Sequence, residues 1–122
     1  MRRICIVLWV TLVAALIVGC HGTVKTHYGK AIPAAMKQSN VGDLLANPQG
    51  FEGHEVLVQG RITSECPAGG WIWLKDSTGE IYVNMHPTNV FIPQRVGSNA
   101  QVLGKVVLEQ GRPQVVGYGV KF

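Results

Sequence analysis

Cys66, Met85 and His86 are the residues of this sequence whose types could hold a metal or turn over electrons. Thiolate, thioether and imidazole together select copper or zinc. A structural zinc site takes four protein ligands, and His54 is the available fourth. Their spacing does not join them; only a fold that brings loop and strand end together would. Each also has a plainer account. The nearest charge to Cys66 in the sequence is Glu65, which disfavours a thiolate, so Cys66 reads equally as a small residue packed under a loop. His86 reads equally as a strand-end imidazole in water.

Trp71, Trp73 and Tyr82 are the second group. Strand alternation puts Trp71 and Trp73 on one face, and Lys75 continues that face. Aromatic side chains on such a surface stack bases or sugars, at about 1–3 kcal/mol per base. They serve equally well as core, because Ile72 and Leu74 between them are apolar too. Catalysis has no comparable signal. None of the acids Asp43, Glu52, Glu55, Glu65, Asp76, Glu80 and Glu109 forms a pair with acid–base spacing. Gly69-Gly70 precedes neither Gly-Lys-Ser/Thr nor a helix, so it is no phosphate loop. The expectation is a protein that is not an enzyme and carries no cofactor.

The elements that must position these residues are mostly strands. Glu55–Thr63 alternates, with Val56, Val58 and Ile62 on one face and Gly60 marking a bend. Trp71–Asp76 and Glu80–Met85 flank the turn Ser77-Thr78-Gly79 as a hairpin. His86-Pro87-Thr88-Asn89 breaks the sheet, and 90–95 crosses over with a helical turn near Pro93. Ala100–Glu109 and Pro113–Phe122 flank Gln110-Gly111-Arg112. Before them, Val41, Leu44 and Leu45 fall at helical spacing and Pro48 ends a short turn. Five strands in about 70 residues predict an all-β chain, a five-stranded Greek-key barrel of OB type. Another small barrel or a sandwich is the alternative. The expected division is 1–19, 20–40 as a flexible tether, with Tyr28-Gly29 and Ile32-Pro33 as the places where it could dock on the barrel, and 41–122 as the barrel domain.

The first residues are a separate object. Met1-Arg2-Arg3 is cationic, and Ile4 to Val18 is apolar apart from Thr11. That is the order of a secretory signal, and the run is short for a membrane span of about 20 residues. Ile17-Val18-Gly19-Cys20 resembles the lipobox of bacterial lipoprotein precursors. The resemblance implies cleavage before Cys20, acyl chains on its thiol and a membrane partner through that anchor. With His21 rather than Asp next, the expected address is the cell envelope, on the outer membrane facing the periplasm in a Gram-negative host. Losing Arg2 and Arg3 lowers the formal charge from +4 to +2, which leaves no basic footprint for nucleic acid. Cys5 would leave with the signal, so Cys66 would be the one free thiol in an oxidising compartment.

Gly53-His54-Glu55-Val56, Val58 through Thr63, Cys66, Gly70-Trp71, Leu74-Lys75-Asp76, Phe91-Ile92-Pro93 and Val102 through Val106 together resemble small exported or lipid-anchored bacterial OB-like domains of unknown function. Many of those carry a second Cys directly before the Trp. Gly70 stands there in this chain, so the resemblance offers no cysteine pair. The leading functional expectation is a non-catalytic envelope binding module. Its partner would be another envelope protein, a peptide, a glycan or a small ligand. A metal- or redox-linked protein using Cys66 with His86 or Met85, and an oligonucleotide-binding OB domain, are the alternatives.

Overall fold

Alternating apolar residues and well-placed glycines close this chain into a barrel. The computed structural model describes Gly19, Gly22 and residues 24–122; residues 1–18 and Cys20, where the export signal and acylation site are expected, lie outside them. The described elements are β1 (His27–Gly29), α1 (Val41–Ala46), α2 (Pro48–Phe51), β2 (Glu55–Glu65), β3 (Trp71–Lys75), β4 (Glu80–Asn84), a 3-10 turn (His86–Thr88), β5 (Asn99–Glu109) and β6 (Arg112–Lys121).

β2 is antiparallel to both β3 and β5, β3 to β4, and β5 to β6. A short parallel contact, Val83 to Val115 and Asn84 to Val116, joins β4 to β6. The five strands β2–β6 therefore form the closed OB-like barrel expected from the sequence. β2 serves two neighbours, β5 through residues 55–61 and β3 through residues 61–65. Gly60 lies where the neighbours change, and a Cβ there would stand 2.5 Å from the Lys75 carbonyl oxygen. Gly104 plays the same part in β5, at a register shift against β6, where a Cβ would meet Val115 Cγ1 at 2.5 Å.

The inward positions form one core. Val56, Val58, Ile62, Ile72, Leu74, Ile81, Val83, Met85, Val102, Val106, Val115 and Val120 are all buried. α1 packs on β4 and β6 and adds Val41 and Leu44. Its entry is fixed from a distance. Asn40 makes no side-chain cap; instead the Val41 N–H donates to Asp76 Oδ2 (2.9 Å) and the Gly42 N–H to Thr78 Oγ1 (2.8 Å). The β3–β4 turn thus caps α1.

Three local expectations need correction. Pro48 does not merely end a helical turn; it opens α2, where a missing N–H costs nothing, and Asn47 Oδ1 accepts the Gly50 N–H at 3.2 Å. The helical turn of the crossover lies at His86–Thr88, not near Pro93, because Thr88 Oγ1 donates to the carbonyls of Met85 and Gly117 and pins it. The stretch read as a tether contains β1, antiparallel to β6 through His27–Lys121, Tyr28–Val120 and Gly29–Gly119. Further on, the Ser39 N–H donates to the Leu57 carbonyl at 2.8 Å. The cause is apolar surface outside the barrel. Leu57 and Leu103 are paired across β2 and β5, point away from the main core, and are nonetheless buried. Burying such a side chain contributes about 1.5–3 kcal/mol, enough to hold the N-terminal segment over this wall.

Candidate functional site

The β3–β4 hairpin sorts its side chains strictly by alternation. Ile72, Leu74, Ile81 and Val83 point into the barrel, while Trp71, Trp73 and Lys75 of β3 and Glu80, Tyr82 and Asn84 of β4 share the outer face. Cross-strand register places Trp71 opposite Asn84, Trp73 opposite Tyr82 and Lys75 opposite Glu80. The three aromatic rings touch: Tyr82 lies 5.8 Å from Trp71 and 5.4 Å from Trp73, centroid to centroid. Of the two accounts open at the sequence level, core packing is excluded for these rings. Trp73 keeps 38 % of its surface exposed.

Beside Trp73 and Tyr82 runs a groove of about 420 Å³. It opens where β4 and β6 separate, before their parallel contact begins at Val83 and Val115. Its floor is Trp73, Tyr82 and Leu45; its rim includes Glu80, Glu109 and Arg112. The rim acids are already engaged. Glu80 Oε1 accepts from Thr63 Oγ1 at 2.6 Å, and Glu109 Oε2 accepts from Gln114 Nε2 at 3.1 Å. Burial above all pushes the Tyr82 phenol above its ordinary value. Its hydroxyl therefore stays protonated, a donor at the groove edge. The surface offers flat apolar faces bordered by fixed donors and acceptors, which suits a ligand with a flat ring or apolar face and polar edges.

Leu45, Glu109, Arg112 and Gln114 escaped sequence reasoning. Leu45 comes from α1, which packs on β4 and β6, while Glu109 ends β5, Arg112 and Gln114 begin β6, and the β4–β6 contact brings these three beside the hairpin. No local pattern announces a parallel pairing between segments some 30 residues apart.

A larger hollow, about 570 Å³, lies beneath residues 31–38, against Leu57 and Gln101. Its walls are largely Ile32, Pro33, Met36 and Leu57, with His27 at one side. It is the loosely filled seat of the N-terminal segment and lacks the aromatic platform of the smaller groove.

The candidate metal set is not assembled. Met85 is fully buried in the barrel core, near Gly117 and Val83, so its thioether is core packing and not a ligand. His54 precedes β2 and Cys66 follows it, so the eleven residues of that strand separate them. Among the described residues no three of His, Cys, Asp and Glu gather as a metal site. Cys66 is half-buried and free. Its loop is fixed by backbone bonds, Cys66 N–H to the Trp71 carbonyl (3.0 Å) and Ile92 N–H to the Gly69 carbonyl (3.2 Å). The exposed His86 ring packs edge-on to Phe91, 6.0 Å away, and lies over Gly70. A Cβ at position 70 would sit 2.5 Å from His86 Nε2. The imidazole fills the place of the side chain that the resembled pattern puts before the tryptophan.

No family model matches this chain, and no curated protein matches it. Among solved structures it is similar to the hypothetical protein ygiW from E. coli, with 14% identity and a TM-score of 0.52, over 76% of this chain and 97% of that one. At that identity the likeness concerns architecture alone, an OB-like barrel.

Proposed function

We propose that this chain is a membrane-anchored lipoprotein whose OB-like barrel is a non-catalytic binding module of the cell envelope, with the Trp71–Tyr82–Trp73 face and its groove as the ligand site. The observation that supports it best is the outward placement of three aromatic rings beside a groove, with Tyr82 touching both tryptophans. Burying them in the barrel would have been the cheaper use of such side chains. The second and third barrel strands are also where OB domains take extended ligands. The supposed partner is a peptide, a glycan, a small ligand or a segment of another envelope protein. Nucleic acid fits poorly, since phosphates need cations and two of the charged rim groups are carboxylates.

The test is tryptophan emission of the full chain, titrated with panels of peptides, oligosaccharides and single-stranded oligonucleotides. Trp73→Ala and Tyr82→Ala should each weaken the responsive ligand by about 1–3 kcal/mol, the worth of one stacked ring, with the urea midpoint nearly unchanged. Equal binding by wild type and the double variant would dismiss this face. Turnover of a substrate, lost on replacing Glu80 or Glu109, would dismiss the non-catalytic reading. Anaerobic copper or zinc titration of wild type and Cys66→Ser addresses the metal alternative, which predicts a clear difference between the two.

A further inference from the structure

We infer that the barrel end where the N-terminal segment docks is a bilayer-contacting surface that takes anionic phospholipid headgroups. This rests on the anchor reading at Cys20 and adds to it a distance, an orientation and a lipid chemistry.

The distance comes from hydrogen bonding. The Phe122 N–H donates to the Thr26 carbonyl at 2.8 Å, and β1 begins at His27. Six residue steps separate Cys20 from Thr26, and an extended chain covers at most about 22 Å in that many. A tether of twenty free residues would have let the barrel roam; this docking keeps it close to whatever holds Cys20.

The chemistry comes from the side chains at that end. Tyr28 and Phe122 pack edge to face, 5.9 Å apart. Lys25 Nζ lies 4.7 Å from the Tyr28 ring centre, and Arg95 Cζ lies 4.9 Å from that of Phe122. Lys121, exposed at the end of β6, pairs in register with His27. None of the three cationic heads forms an ion pair among the described residues, where the one recorded pair is Lys30 with Glu55. Glu65 is the acid of this neighbourhood, and its carboxylate accepts the backbone N–H groups of Arg95 and Val96. Beside Lys25 and Arg95 stand Val24 and Val96, 69% and 59% exposed. Free cations set among exposed aliphatic and aromatic groups suit a headgroup boundary, where apolar parts enter and charges meet lipid phosphate.

The orientation follows from β6. The strand runs from Arg112, at the aromatic groove, to Lys121, at the docking end. Nine steps at about 3.3 Å put up to about 30 Å between them. Seating the Lys121 end on the bilayer turns the groove away from it, open to a partner.

The full chain, purified from membranes, is placed in nanodiscs of phosphatidylcholine with or without phosphatidylglycerol. Amine labelling is then read residue by residue. Lys25 and Lys121 should label several-fold more slowly in the anionic discs, recovering at high salt, while Lys105 stays constant. Arg95→Gln should weaken the contact about fivefold, the worth of one cation near an anionic surface, and Arg95→Lys should restore it. Equal labelling of Lys25 and Lys121 in both discs overturns the inference, as does protection indifferent to lipid charge. Intact mass reads the anchor separately: protection in anionic discs with an unmodified Cys20 keeps the surface and removes the anchor.

Discussion

Asp76→Ala should detach α1 from the β3–β4 turn, and the structure sets the size of the effect. Asp76 Oδ1 accepts from the Thr78 N–H (2.7 Å), Thr78 Oγ1 (2.5 Å) and the Gly79 N–H (3.0 Å), while Oδ2 accepts from the Val41 N–H at 2.9 Å. The turn donors are exposed or, at Gly79, half-buried, so water replaces much of what they lose. Val41 is fully buried, and its N–H would be left without a partner, a loss of about 1–3 kcal/mol. With about 1 kcal/mol from the turn, the alanine variant should lose about 2–4 kcal/mol. Asp76→Asn keeps one acceptor for the turn but turns a donor or a weaker acceptor toward Val41, so it should fall between. Burial pushes the Asp76 carboxyl up, but the hydrogen bonds from Thr78, Val41 and Gly79 outweigh it and hold it below the ordinary aspartate value. A lowered native pKa stabilises the fold above the unfolded value near pH 4, and that contribution is lost as pH falls through the native one. Wild type should therefore lose stability in acid more steeply than Asp76→Asn. Urea unfolding followed by tryptophan emission, from pH 7 down to pH 2.5, measures both effects. An alanine variant within about 0.5 kcal/mol of wild type, the scale of a neutral surface change, would refute the remote cap.

Gly104→Ala should cost about 1–3 kcal/mol by overpacking against Val115, read from the urea midpoint; an unchanged midpoint would mean that β5 does not need its bend. Met85→Ala should cost about 2–5 kcal/mol as a core cavity while leaving copper and zinc titrations as they were, since the thioether is buried. Burial, then the bond to Glu55, holds the Tyr118 phenol protonated well above its ordinary value. The unfolded chain releases that proton from about pH 10 upward, so wild type loses this contribution as pH rises further. The stability gap between wild type and Tyr118→Phe should accordingly narrow between pH 8 and pH 11, and a gap that widens would contradict the assignment.

Local pattern carried much of this protein. Alternation at Val56, Val58 and Ile62, and at Ile72 and Leu74, marks strands because side chains of a pleated chain point alternately to two faces. The turns at Ser77-Thr78-Gly79 and Gln110-Gly111 separate them, and Gly60 and Gly104 show where long strands bend. The same rule grouped Trp71, Trp73 and Lys75 on one face, but it could not say which face lies outside, since Ile72 and Leu74 are apolar as well. Closure of the barrel decided that. The parallel contact of β4 with β6 then supplied Glu109, Arg112 and Gln114 to the groove, a long-range pairing that leaves no mark in either segment alone. One signal was present and easily overlooked. Val56-Leu57-Val58 and Val102-Leu103 are apolar on both faces, so the outer wall at Leu57 and Leu103 needs a cover. The N-terminal segment supplies it, because hydrophobic burial acts on whatever apolar surface remains and takes the nearest chain within reach.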